Sequence, residues 1–330
     1  MFRNILVPLD GSPFSEQALP RALAIARRSG GALHLVTVAE DNGPEAESPG
    51  EKGAARERDG QLQAAEAYLS AVAKRIPKGA EGEGEVEVTT HALPAGGVVS
   101  TLLAELTDHP QDLVVMTTHG RGPLERTWIG SVADGLIRQA PCPVLLLHPD
   151  QEGKEGGGTE PREQADAEAG EEGAPFPVAE PFRHLVAPLD RSPLGAAALD
   201  LAAGMAELDG AQLTLLHVVP TPPGGAFPYL IGNWREERAT PELAKGAEED
   251  LARAAETVAG RGVTATTEIR TLEPPVKGIL KTIEDRGADL LVMSTRGRGG
   301  VERLMLGSVA DKVVRSSPVP VLVFRPVGEG

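Results

Sequence analysis

Cysteine and aromatic residues are the scarcest groups in this sequence of 330 residues. Cys142 is the single cysteine, which excludes an internal disulfide and any metal site built from several cysteines. Aromatic residues make up 3% of the chain, so recognition of nucleic acids through stacked aromatic rings has no support. Cys142 lies between Pro141 and Pro143, ahead of an apolar strand, and we expect a buried, inert thiol there.

The sequence also lacks long apolar runs and an excess of positive charge. No apolar stretch approaches ~18 residues and no signal peptide is evident, so neither a membrane span nor secretion is predicted. The net charge of −16 argues against binding to a phosphate backbone. Much of it lies in residues 150–180, with ten acidic and two basic side chains, and in residues 40–60, with seven and three. We expect a soluble cytoplasmic protein that binds neither membranes nor nucleic acids.

Common catalytic and metal-binding motifs are missing as well. The chain contains no Gly-x4-Gly-Lys-(Ser/Thr) loop, no Gly-x-Ser-x-Gly elbow and no His-Glu-x2-His pair. The seven histidines show no metal-ligand spacing, and His34 and His217 are expected in or beside second strands as core or rim residues. The sequence therefore predicts no catalytic residues and no metal ligands.

Strands and helices are predicted to alternate along the first half. The cores must be built from Val, Leu, Ile and Ala, and alternation of this kind is typical of an α/β fold with a parallel sheet covered by helices on both faces. Ser12 is a plausible N-cap, with Pro13 at the first helical position. Strands are predicted at 3–9, 32–39, 85–92, 112–117 and 144–147, and helices at 14–28, 61–76, 95–107 and from Gly130.

The second half repeats the first. Pro188-Leu189-Asp190 follows Pro8-Leu9-Asp10 at an offset of 180 residues, and the Gly-Ser-Val-Ala-Asp segments at 130–134 and 307–311 are 177 apart. This duplication predicts two tandem doubly wound domains, 1–149 and 182–327, joined by a flexible acidic linker at 150–181. Strands are predicted at 183–189, 212–219, 263–271, 289–294 and 319–324, and helices at 193–208, 241–259, 275–286 and 307–316.

Two loops differ between the halves. Residues 40–60 are predicted to be a mobile insertion because they combine glycine, proline and acidic residues. Residues 220–240 contain Phe227, Tyr229, Ile231 and Trp234, which rarely stay solvated. Those four side chains would either cover a site as a lid or make a domain contact.

Two equivalent stretches, residues 117–134 and 294–311, have the composition of an anion-binding loop. Gly120 and Gly122 permit close backbone approach to a ligand. Gly130-Ser131 opens a helix, whose unbonded N–H groups and positive dipole end attract an anion. Plain solvated turns are the alternative interpretation. Cationic or polar side chains in these loops are His119, Arg121 and Arg126 in the first half and Arg296, Arg298 and Arg303 in the second.

Asp10 and Asp190 end the first strand of each half. In parallel α/β sheets ligands bind at the carboxyl ends of strands, so these carboxylates could accept hydrogen bonds from a ribose or adenine, or help to hold Mg²⁺. The alternative is that Asp10 only caps the helix that follows.

These motifs together resemble the universal stress protein family, whose signature is Gly-x2-Gly-x9-Gly-(Ser/Thr). The spacing of Gly120 to Gly130-Ser131 and of Gly297 to Gly307-Ser308 matches its second part. The openings Ile5–Asp10 and Leu185–Asp190 are similar to the first strand of the family, and Pro-Cys-Pro-Val and Pro-Val-Pro-Val to its last. Both copies depart from the signature at its first glycine, where Thr117 and Ser294 stand.

The resemblance implies a five-stranded parallel sheet of order 3-2-1-4-5 in each half and ATP, with or without Mg²⁺, as the ligand. Asp10, Val38, Asp190 and Val218 would meet the adenosine. Arg191 in place of Gly11 makes the second turn bulkier, so the sites could differ in affinity. Loop chemistry and resemblance together give these candidate binding residues: Pro8, Asp10, Val38, Thr117, His119, Gly120, Arg121, Gly130, Ser131, Val132, Pro188, Asp190, Val218, Ser294, Arg296, Gly297, Arg298, Gly307, Ser308 and Val309.

The expected function is that of an ATP-binding stress-response regulator or sensor with at most slow ATP hydrolysis. A nucleotide-independent interaction protein and a hydrolase or nucleotidyl transferase are the alternatives. Family members commonly form dimers, so the two halves are expected to pair within the chain through residues 144–147 and 320–324, or the chain to form a homodimer.

Overall fold

A computed structural model describes residues 1–39, 51–77, 85–118, 129–148, 173–190, 193–219, 234–271, 273–295 and 306–325. Contacts divide the chain into two compact units. The N-terminal unit contains Phe2–Leu124 and Leu147–Glu180, and the C-terminal unit contains Met1, Glu125–Leu146 and Pro181–Gly330. Among the described residues, no helix is both long enough and apolar enough to cross a bilayer.

Strands and helices alternate in both units, which confirms the α/β prediction. The first half contains β1 (Asn4–Pro8), α1 (Pro13–Glu16), α2 (Leu19–Ser29), β2 (Ala32–Val38), α3 (Glu51–Lys74), β3 (Glu87–Leu93), α4 (Val98–Asp108), β4 (Leu113–Thr117), α5 (Ser131–Gln139) and β5 (Val144–Leu147). The second half contains β6 (His184–Pro188), α6 (Pro193–Asp209), β7 (Gln212–Val219), α7 (Trp234–Ala259), β8 (Ala265–Thr271), α8 (Pro275–Arg286), β9 (Leu290–Ser294), α9 (Ser308–Ser316) and β10 (Val321–Phe324).

The N-terminal unit has a parallel sheet in which β1 is central. It pairs with β2 from Asn4↔Ala32 to Pro8↔Val36 and with β4 at Ile5↔Leu113, and β2 pairs with β3. The strand order is therefore β3-β2-β1-β4. Because all four strands are parallel, their carboxyl ends lie at one edge of the sheet.

The C-terminal unit has the order β8-β7-β6-β9-β10, and β5 from the first half continues this sheet. β5 is antiparallel to β10, with Val321 opposite Leu146 and Val323 opposite Val144. This pairing confirms the predicted association of residues 144–147 with residues 320–324 within the chain. The remaining strand pairs of the unit are parallel, with β6 between β7 and β9.

A cluster of four charged side chains accompanies the β5–β10 pairing. Arg138 contacts Asp134 on its own helix at 2.8 Å and Asp311 on α9 at 3.8 Å. Arg315 contacts Asp311 at 3.0 Å and Asp134 at 3.4 Å. The cross-contacts join α5 to α9 with alternating charges, which adds specificity to the pairing more than stability.

The helix predicted at 14–28 is broken into α1 and α2. Pro20 is the cause, because it has no N–H and its ring would clash with the carbonyl of Glu16, four residues earlier. α1 therefore ends at Glu16, Gln17 caps it, and α2 starts at Leu19.

Two helices begin earlier than predicted. α3 starts at Glu51, so residues 51–60 are not the predicted mobile insertion. α7 starts at Trp234, within the predicted loop, instead of at Pro241. Residues 51–60 are rich in Glu, Arg and Ala, and residues 234–240 are rich in Glu and Arg. These residue types favour helix, which outweighs the loop signals around them. Phe227, Tyr229 and Ile231 lie outside the described residues.

The cores have the predicted aliphatic character. Ile5, Leu6 and Val7 of β1 are fully buried, as are Leu185 and Val186 of β6. Cys142 is buried, as expected. Strands without exposed faces are typical of parallel sheets covered on both sides.

Candidate functional site

The turn after β1 is closed by the Asp10 carboxylate. Oδ1 of Asp10 accepts the Ser12 amide at 2.9 Å and the Ser12 hydroxyl at 2.6 Å. The Ser12 hydroxyl in turn accepts the Ser15 amide at 3.2 Å, which confirms the predicted N-cap, and the Asp10 amide donates to Ser15 Oγ at 3.2 Å. One carboxylate oxygen of Asp10 is thus engaged in shaping the turn, where it bonds to the N-cap Ser12 and does not itself cap the helix.

Asp10, Val38 and Thr117 lie at the carboxyl edge of the N-terminal sheet. Asp10 follows β1, Val38 ends β2 and Thr117 ends β4, and β1 lies between the other two strands. The Leu9 amide donates to Val36 at 2.8 Å, which extends the pairing up to the turn. Thr117, at the position of the first signature glycine, is buried.

The start of α5 carries the first-half Gly-Ser pair. Gly130 is the N-cap, no side chain among the described residues caps the helix, and the Gly130 carbonyl accepts the Asp134 amide at 2.9 Å. Ser131 is exposed and Val132 is half-buried. Within the described parts of the chain, the first N–H groups of α5 therefore have no side-chain acceptor, which is the condition for attracting an anion.

In the C-terminal unit the turn that carries Asp190 is anchored to β7. The Leu189 amide donates to the Leu216 carbonyl at 2.8 Å. His217 is buried, and its Nδ1 lies 2.6 Å from the Leu189 carbonyl, so Nδ1 carries the proton that it donates. This agrees with the prediction of a core or rim histidine and gives it a definite task, because it holds the residue before Asp190.

A hydrogen bond connects the end of β9 to the start of α9. Thr295 donates its amide to Phe324 at 2.8 Å and accepts the Gly307 amide at 2.9 Å through its carbonyl. Gly307 is the N-cap of α9, no side chain in the described ranges caps this helix, and Ser308 is its exposed first residue. Ser294, the last residue of β9, therefore lies one residue from the strand–helix junction.

Thr295 also carries a polar atom without a partner. The residue is 3% exposed, and its Oγ1 makes no hydrogen bond to the described parts of the chain. A buried hydroxyl left unbonded costs about 1–3 kcal/mol, so its place beside an uncapped helix start fits a site that a polar ligand completes.

The sequence interpretation did not single out Thr295 or the contact of His217 with Leu189. The position of Thr295, between Ser294 and the loop, is a signal that could have identified it, but hydroxyl residues are common between a strand and a loop. Six of the predicted residues lie outside the described residues: His119, Gly120, Arg121, Arg296, Gly297 and Arg298, as do Arg126 and Arg303.

The parallel strands β7, β6 and β9 are neighbours, which places Pro188, Asp190, Val218 and Ser294 at one edge of the C-terminal sheet. Val218 packs closely on α8, because a Cβ on Gly278 would lie 3.0 Å from both of its methyl groups. Among the described residues, no group of His, Cys, Asp and Glu is arranged to hold a metal ion. The arrangement offers hydrogen-bond acceptors, an apolar wall and an uncapped helix start, which suits binding of a polar anionic ligand.

Comparison with known proteins places this arrangement in a family. A sequence model of the universal stress protein family matches residues 1–148 and 181–325. Universal stress protein YxiE of Bacillus subtilis is 34% identical over 149 residues, which are 44% of this chain and 99% of that protein. Universal stress protein Rv2005c of Mycobacterium tuberculosis is 27% identical over 214 residues, 65% of this chain and 62% of that protein.

A solved structure has the same fold over nearly the whole chain. The universal stress protein from Archaeoglobus fulgidus superposes with a TM-score of 0.65 and 21% identity, covering 99% of this chain and 97% of that one. The structural likeness shows the shared fold. The two segments matched by the family model show that the chain belongs to the universal stress protein family and carries two tandem copies of its domain.

Proposed function

We propose that this universal stress protein binds ATP and acts as a stress-response regulator or sensor whose conformation depends on the bound nucleotide. The observation that carries the proposal is the junction of β9 and α9. There the Gly307 amide bonds to the Thr295 carbonyl, and among the described residues the helix start has no side-chain cap and the buried Thr295 hydroxyl has no partner. A phosphate group is the polar ligand that such a helix start attracts most strongly.

The proposed roles follow from position. Asp190 would accept hydrogen bonds from the ribose, and Pro188 and Val218 would line the adenosine. Gly307, Ser308 and Val309 open α9 and would offer their N–H groups to the phosphates, with Ser294 at the neighbouring strand end. The loop residues Arg296, Gly297 and Arg298 have the same proposed role as phosphate contacts.

By the internal duplication, the first half has the same set of proposed roles. Pro8, Asp10 and Val38 correspond to the adenosine side, and Gly130, Ser131 and Val132 to the phosphate side. Thr117, His119, Gly120 and Arg121 complete that set. We propose residues 1–149 and 182–327 as the two nucleotide-binding domains and residues 150–181 as their connector.

Unequal affinities are part of the proposal. Oδ1 of Asp10 is already bonded twice within its own turn. Arg191 replaces the Gly11 of the first half, whose φ of 78° favours glycine. Because the two turns differ in this way, we expect two dissociation constants instead of one.

A nucleotide-independent interaction protein remains the second candidate. Thr117 and Ser294 favour it, because a side chain occupies each position where the family signature has a glycine, and Thr117 is buried. Any hydrolysis of ATP would be slow, because the sequence motifs do not supply the paired general base and nucleophile that this type of catalysis requires.

Calorimetric titration of the intact chain with Mg-ATP, and with ATP in the presence of a chelator, tests the proposal. Asp190→Asn should weaken binding at the second-half site. Asp200→Asn is the matched control, because Asp200 is an exposed carboxylate on α6 and is not part of the proposed site. Heat from wild type and control but less from Asp190→Asn supports the proposal. Absence of heat from all three proteins favours the interaction protein.

A further inference from the structure

The end of the predicted flexible linker is bound to the N-terminal unit. Residues 173–180 are described, belong to that unit and lie against α2 and α3. The Phe176 amide donates to Arg75 at 3.0 Å, and the Ala179 amide donates to Pro20 at 3.2 Å. The Glu180 carbonyl accepts a hydrogen bond from the Arg21 guanidinium. We call residues 173–180 the strap.

Phe176 anchors the strap. The residue is 7% exposed, and the Arg75 guanidinium lies over its ring at 4.1 Å from the ring centre. A cation over an aromatic face is attracted by the ring quadrupole, and burial strengthens that attraction. Pro175 and Pro177 flank the ring and limit the backbone freedom that docking must remove.

Arg75 connects the strap to α1. Its Nη1 lies 2.7 Å from Oε2 of Glu16, and its Nε donates to the Ala174 carbonyl at 3.3 Å. The other oxygen of Glu16 accepts the Tyr68 hydroxyl at 3.2 Å. Burial, and then the charge of Glu16, raises the pKa of Tyr68, so the hydroxyl keeps its proton and remains a donor.

α1 depends on these contacts for its position. A helix of four residues is not stable alone, because nucleation is costly and few internal bonds offset it. Its first end is held by Ser12, which also bonds to Asp10, and its last residue is Glu16. Contacts to Glu16 at one end of α1 are therefore coupled to the Asp10 turn at the other.

We propose that the strap is a positioning device for the first half alone: its docking, transmitted through Arg75 and Glu16, holds the Asp10 turn in the geometry that binds ligand. Release of the strap loosens that turn and leaves the Asp190 turn unchanged. The second half has no equivalent carboxylate, because Ala196 stands 180 residues after Glu16. The ligand part of this inference rests on the proposed ATP binding, whereas the mechanical coupling does not.

Hydrogen exchange of the intact chain without nucleotide tests the coupling. In Phe176→Ala, the amides of residues 176 and 179 should exchange about tenfold faster or more, and peptides covering residues 10–18 severalfold faster. Peptides covering residues 184–190 should not change. Val178→Ala is the matched control, since Val178 is the exposed apolar residue of the same strap, 38% accessible.

Arg75→Met separates anchoring from transmission, because it removes the ion pair with Glu16 and retains apolar bulk over the ring. Faster exchange at residues 10–18 in both variants supports the proposal. Faster exchange of the strap without any change at residues 10–18 overturns the proposal. The proposal is also overturned if, in the wild-type protein, the amides of residues 176 and 179 already exchange at the rate of an unstructured peptide.

ATP titration of the same variants in an Asp190→Asn background tests the ligand arm. Affinity in Phe176→Ala should fall about three- to tenfold relative to Val178→Ala. Equal affinities overturn this arm. Absence of ATP binding in the parent protein contradicts the proposed function itself, while the exchange experiment continues to decide the coupling.

Discussion

Replacement of Asp10 by alanine measures how much this side chain contributes to the free energy of unfolding. Asp10 Oδ1 accepts two hydrogen bonds from Ser12, at 2.9 and 2.6 Å, and these close the turn between β1 and α1. A hydrogen bond to a charged group contributes roughly 1.5–3 kcal/mol. Because the turn is half-buried, the lower value applies to each of the two bonds, and we expect Asp10→Ala to reduce the free energy of unfolding by about 3 kcal/mol.

Asp10→Asn keeps a carbonyl acceptor in the same place. Both bonds can then form without the charge, so the expected loss is about 1 kcal/mol. Asp108, exposed at the end of α4, is the matched control, and Asp108→Ala should change the free energy of unfolding by less than about 0.5 kcal/mol. Urea denaturation followed by far-ultraviolet circular dichroism gives the values. Equal stability of Asp10→Ala and Asp108→Ala would refute the reasoning.

Two further predictions concern stability. A Cβ on Gly31 would lie 2.6 Å from the Arg3 carbonyl oxygen, so Gly31→Ala should lower the free energy of unfolding by about 1–3 kcal/mol. Gly30 has a φ of 62° and open space around it, so Gly30→Ala should lower it by only about 1 kcal/mol. Thermal melts that rank the two variants oppositely would contradict this. Burial lowers the pKa of His34 and of His184. Protonation of these histidines therefore favours the unfolded chain, and the free energy of unfolding should fall as pH drops below about 6.5. His34→Gln should reduce that fall, as measured by urea titrations at several pH values. An unchanged pH profile in this variant would contradict the prediction.

Much of the fold could be predicted because burial patterns are local. The apolar run at 144–147 and the helix at 275–286 have the predicted bounds, since their signals lie within the segments themselves. The break at Pro20 was also present in the sequence, but the periodic apolar face on both sides of it favoured one helix. The early starts of α3 and α7 were missed because the helix propensity of residues 51–60 and 234–240 is outweighed by loop signals nearby. Those signals are glycine, proline and acidic residues before α3, and solvent-disfavoured apolar residues before α7.

The candidate site was predictable only where a residue's role is set by its neighbours in sequence. Ser12 caps α1 as predicted, because a cap bonds to an amide three residues away. His217 and Thr295 depend on partners in other strands and helices, at Leu189, Phe324 and Gly307, which no local pattern reveals. The ordered strap was missed for the same reason, since a single phenylalanine in an acidic linker gives no periodic signal.

Native mass spectrometry of the intact protein, as purified and after addition of ATP, shows directly whether this chain binds adenine nucleotides. We expect one or two bound adenine nucleotides per chain. The variant that combines Asp10→Asn and Asp190→Asn should lose this nucleotide adduct or show a weaker one. A protein that carries no nucleotide as purified and gains none when ATP is added in large excess over protein would contradict the proposed ATP binding.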